Sequence, residues 1–196
     1  FDDWGVKHNT VDDFQKALAV SCNLSFAKMG MSLGFKKIKE TFDKFYFNSK
    51  GFEDLLILFK TGSINTNISN NYQLANISVG LEEISITTFH SALISSIIYQ
   101  NGSIYPPYMI KNIKNLLNLG FYNHSGQLIT IFHDNANFLK LKSAMAHVAS
   151  HPRGTGRRAQ PDFIKISLKT GTTGNRRPGF NAILTGFFPT VKAKYS

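Results

Sequence analysis

From Ile164 to Leu168 apolar residues alternate with polar ones, and the alternation runs straight into Lys169-Thr170-Gly171-Thr172. A period of two commits this stretch to a half-buried strand, because successive strand side chains fall on opposite faces. Lys169 then points to one face and Thr170 and Thr172 to the other, while Gly171 leaves no Cβ to block a ligand along the strand margin. An ammonium, two hydroxyls and free backbone amides together suit a carboxylate or a developing oxyanion. A plain strand end followed by a glycine turn accounts for the same letters.

The charge distribution bears on that choice. All five arginines, Arg153, Arg157, Arg158, Arg176 and Arg177, flank this strand, and residues 151–196 carry +8 of the chain's net +10. A local positive field steers anions toward a site; a solvated basic surface and a nucleic-acid patch are the competing explanations. The single cysteine, Cys22, excludes an internal disulfide framework without fixing a compartment. No apolar run approaches the length of a membrane span, and no leader or lipidation motif is found. The 196 residues, 42% hydrophobic, suffice for one domain or a large piece of one. Phe1-Asp2-Asp3-Trp4 opens without a Met and residues 190–196 read as the start of another strand, so the chain is expected to be part of a longer one.

Along the chain, Thr10-Val11-Asp12-Asp13 has the form of a helix start with Thr10 as cap, followed by Phe14, Ala17 and Leu18 on one face. A second helix, with Phe26, Met29 and Leu33 as its apolar face, stops at Gly34. Ser21-Cys22-Asn23 lies between them. It is either an ordinary junction or a rigid turn offering a hydroxyl that can relay a proton and a carboxamide that can hold an amide. Phe35, Ile38, Phe42 and Phe45 mark a third helix with a core-facing aromatic stripe. Residues 53–60 are a short helix or strand, and residues 64–76 a surface loop. A helix capped by Thr87 or Thr88 runs to Tyr99 and closes at Asn101-Gly102, with Glu82 and Glu83 before it read as solvated charge. Residues 104–110, with Pro106-Pro107, suit a sheet edge, residues 127–132 a short strand, and Asp134 or Asn135 opens a helix through Phe138, Leu141, Met145 and Val148. His147 and His151 have the i,i+4 spacing of two zinc ligands, but no third ligand accompanies them and no metal is expected. Gly154-Thr155-Gly156-Arg157-Arg158 reads as a flexible basic loop that lacks the ending of a P-loop.

Ser21-Cys22-Asn23 and Lys169-Thr170-Gly171, in this order and this far apart, resemble the S-x-N and K-T-G motifs of the penicillin-binding and β-lactamase superfamily. Residues 17–30 resemble the second-motif segment of class B penicillin-binding transpeptidases, residues 79–92 their Gly-x-x-x-Ile-x-Ile-Thr helix entry, and Asn101-Gly102 with Pro106-Pro107 the turn and proline that follow. Gly154-Thr155-Gly156 resembles the Gly-Thr-Gly loop before the third motif. The S-x-x-K motif that should precede Ser21 is not found. Ser25-Phe26-Ala27-Lys28 fits its letters but follows S-x-N, the wrong order. Asn101-Gly102-Ser103 lacks the usual second glycine, and Phe180-Asn181-Ala182 replaces an Asn-x-Trp-Phe stretch.

The resemblance implies an α+β fold, an antiparallel sheet flanked by helices with a mostly helical lobe, incomplete here. Residues 1–150 are expected to form that lobe and residues 151–196 the K-T-G strand and the next. It implies a serine acyl-enzyme that cross-links D-Ala-D-Ala stem peptides of peptidoglycan and binds β-lactams, needs no cofactor, and works beside a membrane glycosyltransferase on the extracytoplasmic face of the inner membrane. Carried over, Ser21 relays a proton to the leaving nitrogen, Asn23 orients the absent lysine and the substrate amide, and Lys169 tunes the network electrostatically. Thr170, Gly171 and Thr172 bind the terminal carboxylate, with the Thr172 N–H as half of the oxyanion hole. A D,D-carboxypeptidase, a β-lactamase, a β-lactam sensor or, from another class, a basic anion or nucleic-acid-binding module are the alternatives.

Overall fold

The structure, a computed structural model, describes residues 11–54, 57–81, 84–175 and 179–196. Thr10, Glu82, Glu83, Arg176 and Arg177 lie outside the described residues. Helix α1 (Phe14–Ala19) is capped by Asp13, whose carboxylate accepts the Lys16 N–H at 2.7 Å. It is followed by α2 (Asn23–Leu33) and α3 (Phe35–Lys44), with Gly34 at φ 78° separating the two as expected. Of the apolar face expected for α2, Phe26 packs against the core, but Met29 and Leu33 are exposed, and the fully buried residues are Ala27 and Gly30. Small residues win because α2 lies close against α4 (Asn71–Val79), where a Cβ on Gly30 would overlap the Ser78 side chain.

Helix α4 also overturns the surface loop expected there. Asn70 caps it by accepting the Gln73 N–H at 2.9 Å, and the Gln73 carboxamide reaches back to the Ser69 N–H at 2.8 Å. This reciprocal capping stabilises a helix start that composition alone conceals. The region before it holds a hairpin, β1 (Phe52–Asp54) with β2 (Ile57–Phe59), and β3 (Ser63–Ile64) paired with β4 (Ile84–Ser85). Helix α5 (Thr88–Tyr99) is capped by the Thr87 hydroxyl and ends at Asn101 and Gly102, both at positive φ, as the sequence predicts. Next come β5 (Ser103–Ile104), a hairpin of β6 (Asn112–Lys114) and β7 (Gly120–Asn123) not foreseen from the sequence, and β8 (Ile129–Thr130), which pairs with β5.

The long helix α6 (Asn135–Ser150) organises the rest. Its Phe138, Ala144, Met145, Val148 and Ala149 form one buried cluster with Leu18 of α1, Ile98 of α5, Leu168 and Phe187. Leu168 and Phe187 belong to the hairpin β9 (Ser167–Asn175) and β10 (Gly179–Phe187), antiparallel with Lys169 opposite Thr185 and Thr172 opposite Ala182. Strand β9 starts at Ser167, not Ile164, because the Gln160 carboxamide holds the Ile164 carbonyl at 2.6 Å and the Ile166 N–H at 3.4 Å. Since α1 and β9 both rest on α6, the end of one is brought against the margin of the other.

Candidate active site

Helix α1 ends in a Schellman turn: the Cys22 N–H reaches the Ala17 carbonyl at 2.9 Å and the Ser21 N–H reaches Leu18 at 3.2 Å. The left-handed position of this turn, usually glycine, is Ser21 at φ 54°. A side chain there costs about 1–2 kcal/mol, so the backbone holds the hydroxyl in one direction against its own preference. That direction is toward β9, where the Lys169 ammonium donates to Ser21 Oγ at 2.8 Å. The same ammonium donates to the Thr170 carbonyl at 2.7 Å.

Among the described residues, β9 is paired with β10 alone, so its other margin is open, and the Thr170 carbonyl is met there by the ammonium. In an antiparallel strand alternate residues share a margin, which gives the Thr172 main chain the same outward aspect. Thr172 and Gly171 are exposed further along β9. A Cβ on Gly171 would only touch Ile183 across the hairpin at 3.7 Å, so this glycine is not demanded by packing. Asn23, the first residue of α2, is half-buried two residues beyond Ser21.

Burial lowers the Lys169 pKa to about 8. Among the described residues its hydrogen bonds go to the two neutral oxygens named above and to no carboxylate. A desolvated cation without a counter-ion is costly, and an incoming anion at the open strand margin supplies the missing charge.

Thr155, noted in the sequence only as the middle of a Gly-Thr-Gly loop and given no role there, completes the corner. Thr155 Oγ1 accepts from Thr170 Oγ1 at 2.6 Å, and the Thr155 N–H donates to the Ala19 carbonyl, in the last turn of α1, at 3.0 Å. The expected flexible loop is in fact pinned. A Cβ on Gly154 would overlap the Val148 carbonyl, and one on Gly156 the Leu168 side chain. The two glycines are the available signal for Thr155: they let the backbone lie against α6 and wedge the residue between α1 and β9.

Ser25 donates to Cys22 Sγ at 3.1 Å and Lys28 is exposed, so these two do not form an S-x-x-K pair. The His147 and His151 rings are 5.0 Å apart, and among the described residues no third ligand joins them. A groove of about 450 Å³ between α5 and the β9–β10 hairpin is lined by Ser167 and Leu168 but not by Ser21 or Lys169.

The site among the described residues is thus a desolvated lysine on an unpaired strand margin, hydrogen-bonded to a serine at a helix junction within an α+β fold. A family model described as the penicillin binding protein transpeptidase domain matches residues 1–195, and the chain belongs to that family. No curated protein matches it. Among solved structures, the D,D-transpeptidase domain of a peptidoglycan glycosyltransferase from Eggerthella lenta is similar at TM-score 0.80 and 18% identity, covering 92% of this chain and 46% of that one. PBPA from Mycobacterium tuberculosis gives 0.77 at 18%, covering 93% and 41%. PBP2 from Helicobacter pylori, solved in complex with MreC, gives 0.77 at 20%, covering 94% and 35%. These likenesses establish the α+β transpeptidase fold, and the chain spans less than half the length of each.

Proposed function

We propose that these residues form the proton-relay and carboxylate-binding part of a serine D,D-transpeptidase that cross-links peptidoglycan stem peptides. The acylated serine would come from outside them. The observation that carries this reading is the 2.8 Å contact between Lys169 and Ser21, two residues 148 positions apart, beside an open strand margin. With the nucleophile in place, Ser21 would pass a proton to the leaving nitrogen under the field of Lys169. Thr170 and Thr172 would hold the terminal carboxylate, and the Thr172 N–H would face the oxyanion. PBPA of M. tuberculosis has been solved as a penicillin G acyl-enzyme complex. We extend to this chain, as part of the same reading, β-lactam binding, a membrane glycosyltransferase partner and an extracytoplasmic location. No helix among the described residues is long and apolar enough to cross a membrane.

The test is acylation by a fluorescent penicillin. Residues 1–196 alone should remain unlabelled, and the parent polypeptide should be labelled at a serine upstream of Phe1. Lys169→Ala or Ser21→Ala in the parent should slow acylation by about 10²-fold or more, the range for losing one general acid–base or electrostatic group. Label on Ser25 of the isolated chain overturns the assignment of the nucleophile.

A further inference from the structure

The β6–β7 hairpin ends in a turn that is apolar where surface turns are normally polar. Leu116 is fully exposed, and Leu117, Leu119 and Phe121 are 79%, 62% and 75% exposed. The turn is nonetheless ordered. The Asn115 carboxamide oxygen accepts the N–H groups of Leu117 at 3.0 Å and Leu119 at 2.9 Å, Asn115 N–H reaches the Leu119 carbonyl at 2.9 Å, and Asn118 takes the left-handed position at φ 64°. The base is fastened to the body. Asp54, buried at the end of β1, accepts the Met109 and Ile110 N–H groups at 2.7 and 3.1 Å and the Tyr122 hydroxyl at 3.1 Å. The side chains at the tip are thus held out into solvent by a frame that is itself satisfied, and an exposed contiguous apolar patch of this kind marks a contact surface.

The charge around the tip selects the partner. From Ser103 to His133 the chain has no Asp or Glu, the carboxylate at the hairpin base, Asp54, is buried and hydrogen-bonded, and Lys111 and Lys114 are exposed on the hairpin. Leucine and phenylalanine at a projecting tip with lysines behind them are the composition of a segment that dips into the interface of an anionic bilayer. We propose that the β6–β7 tip is a membrane-contact element, its four apolar side chains entering the headgroup region and its two lysines meeting anionic lipid.

The test is co-sedimentation of the full 196-residue chain with vesicles of equimolar phosphatidylglycerol and phosphatidylcholine, and with phosphatidylcholine alone, at physiological ionic strength. The anionic vesicles should take up the wild type. The double variant Leu116→Ser/Leu117→Ser should partition at least about tenfold more weakly, with unchanged thermal unfolding because neither side chain contributes to the core. Lys111→Gln/Lys114→Gln should lose roughly fivefold per lysine on the anionic vesicles and nothing on the neutral ones. Failure of the wild type to sediment, or equal partition of the leucine variant, overturns the proposal. So does a concentration-dependent dimer that the leucine variant abolishes in the absence of vesicle binding, which would make the tip a contact between copies of the chain.

Discussion

Lys169 carries a stability cost that comes from its burial. Its pKa falls from 10.5 to about 8 on folding, so below pH 8 the folded state holds a desolvated ammonium that the unfolded state keeps hydrated. Between pH 8 and 10.5 the unfolded chain binds more protons at this lysine than the folded one, and its penalty is relieved as pH rises through that window. Lys169→Met should therefore unfold at higher urea than the wild type at pH 7, by about 1–2 kcal/mol after the two lost hydrogen bonds. The gap should narrow at pH 9.5, and a gap independent of pH would mean the burial cost is not realised. Ser21 is a second such case, because its hydroxyl is presented from a left-handed backbone. Ser21→Ala and Ser21→Gly both remove the bond to Lys169. The glycine variant should still be the more stable by about 1 kcal/mol in urea titration, since it alone relieves the strain. That Ser21 and Lys169 belong together was legible in the sequence because each sits in a short polar motif, and the structure brings the two side chains to 2.8 Å. Thr155 was visible only as the middle of a Gly-Thr-Gly loop, because its contacts with Ala19 and Thr170 cannot be read from the loop itself.

Among the helices, the misread face of α2 shows where periodicity loses to packing. A pattern of large apolar residues predicts Phe26, Met29 and Leu33 inward; Phe26 does pack on the core, but α2 meets α4 at Gly30, buries Ala27 and leaves Met29 and Leu33 exposed. Gly30→Ala should accordingly cost about 1–2 kcal/mol, the overpacking against Ser78 outweighing the better helix propensity of alanine. In a Ser78→Gly background the same change should be neutral or stabilising, and a double-mutant cycle in urea measures the difference. Additive effects would show that the two helices do not meet there. Where a signal is local, the elements followed the sequence: the Thr87 cap, the Gly34 stop and the Asn101-Gly102 close all stand. Helix α4 was hidden because Asn, Ser and Gln are loop formers by composition and become caps only once a helix follows them. The β6–β7 hairpin was hidden because its turn carries leucines in place of the residues that usually announce one.

At the scale of the whole molecule, the fold depends on a polar junction that periodicity cannot reveal. His90 of α5 is fully buried between segments distant in sequence. Its Nδ1 accepts the Gly62 N–H at 2.8 Å, which assigns the proton to Nε2, and that N–H donates to the Phe45 carbonyl at 2.7 Å. One neutral ring thus ties α5 to the end of α3 and to the start of β3. Desolvation by burial disfavours the cation, so the pKa lies below the ordinary histidine value despite the Phe45 bond, and a protonated ring would also turn a second N–H against the Gly62 N–H. A group whose folded pKa is lowered in this way contributes stability that is complete above its unfolded pKa of about 6.5 and declines as pH falls below it. The urea midpoint of the wild type should therefore drop between pH 7 and pH 5. His90→Asn, whose carboxamide oxygen can replace Nδ1 but cannot titrate, should be less stable at pH 7 by about 1–3 kcal/mol for the lost Phe45 bond. Its decline toward pH 5 should be shallower, because the histidines that remain titrate in both proteins and cancel in the comparison. Parallel pH profiles for the two proteins would place the acid sensitivity elsewhere and leave His90 as a spacer between helices.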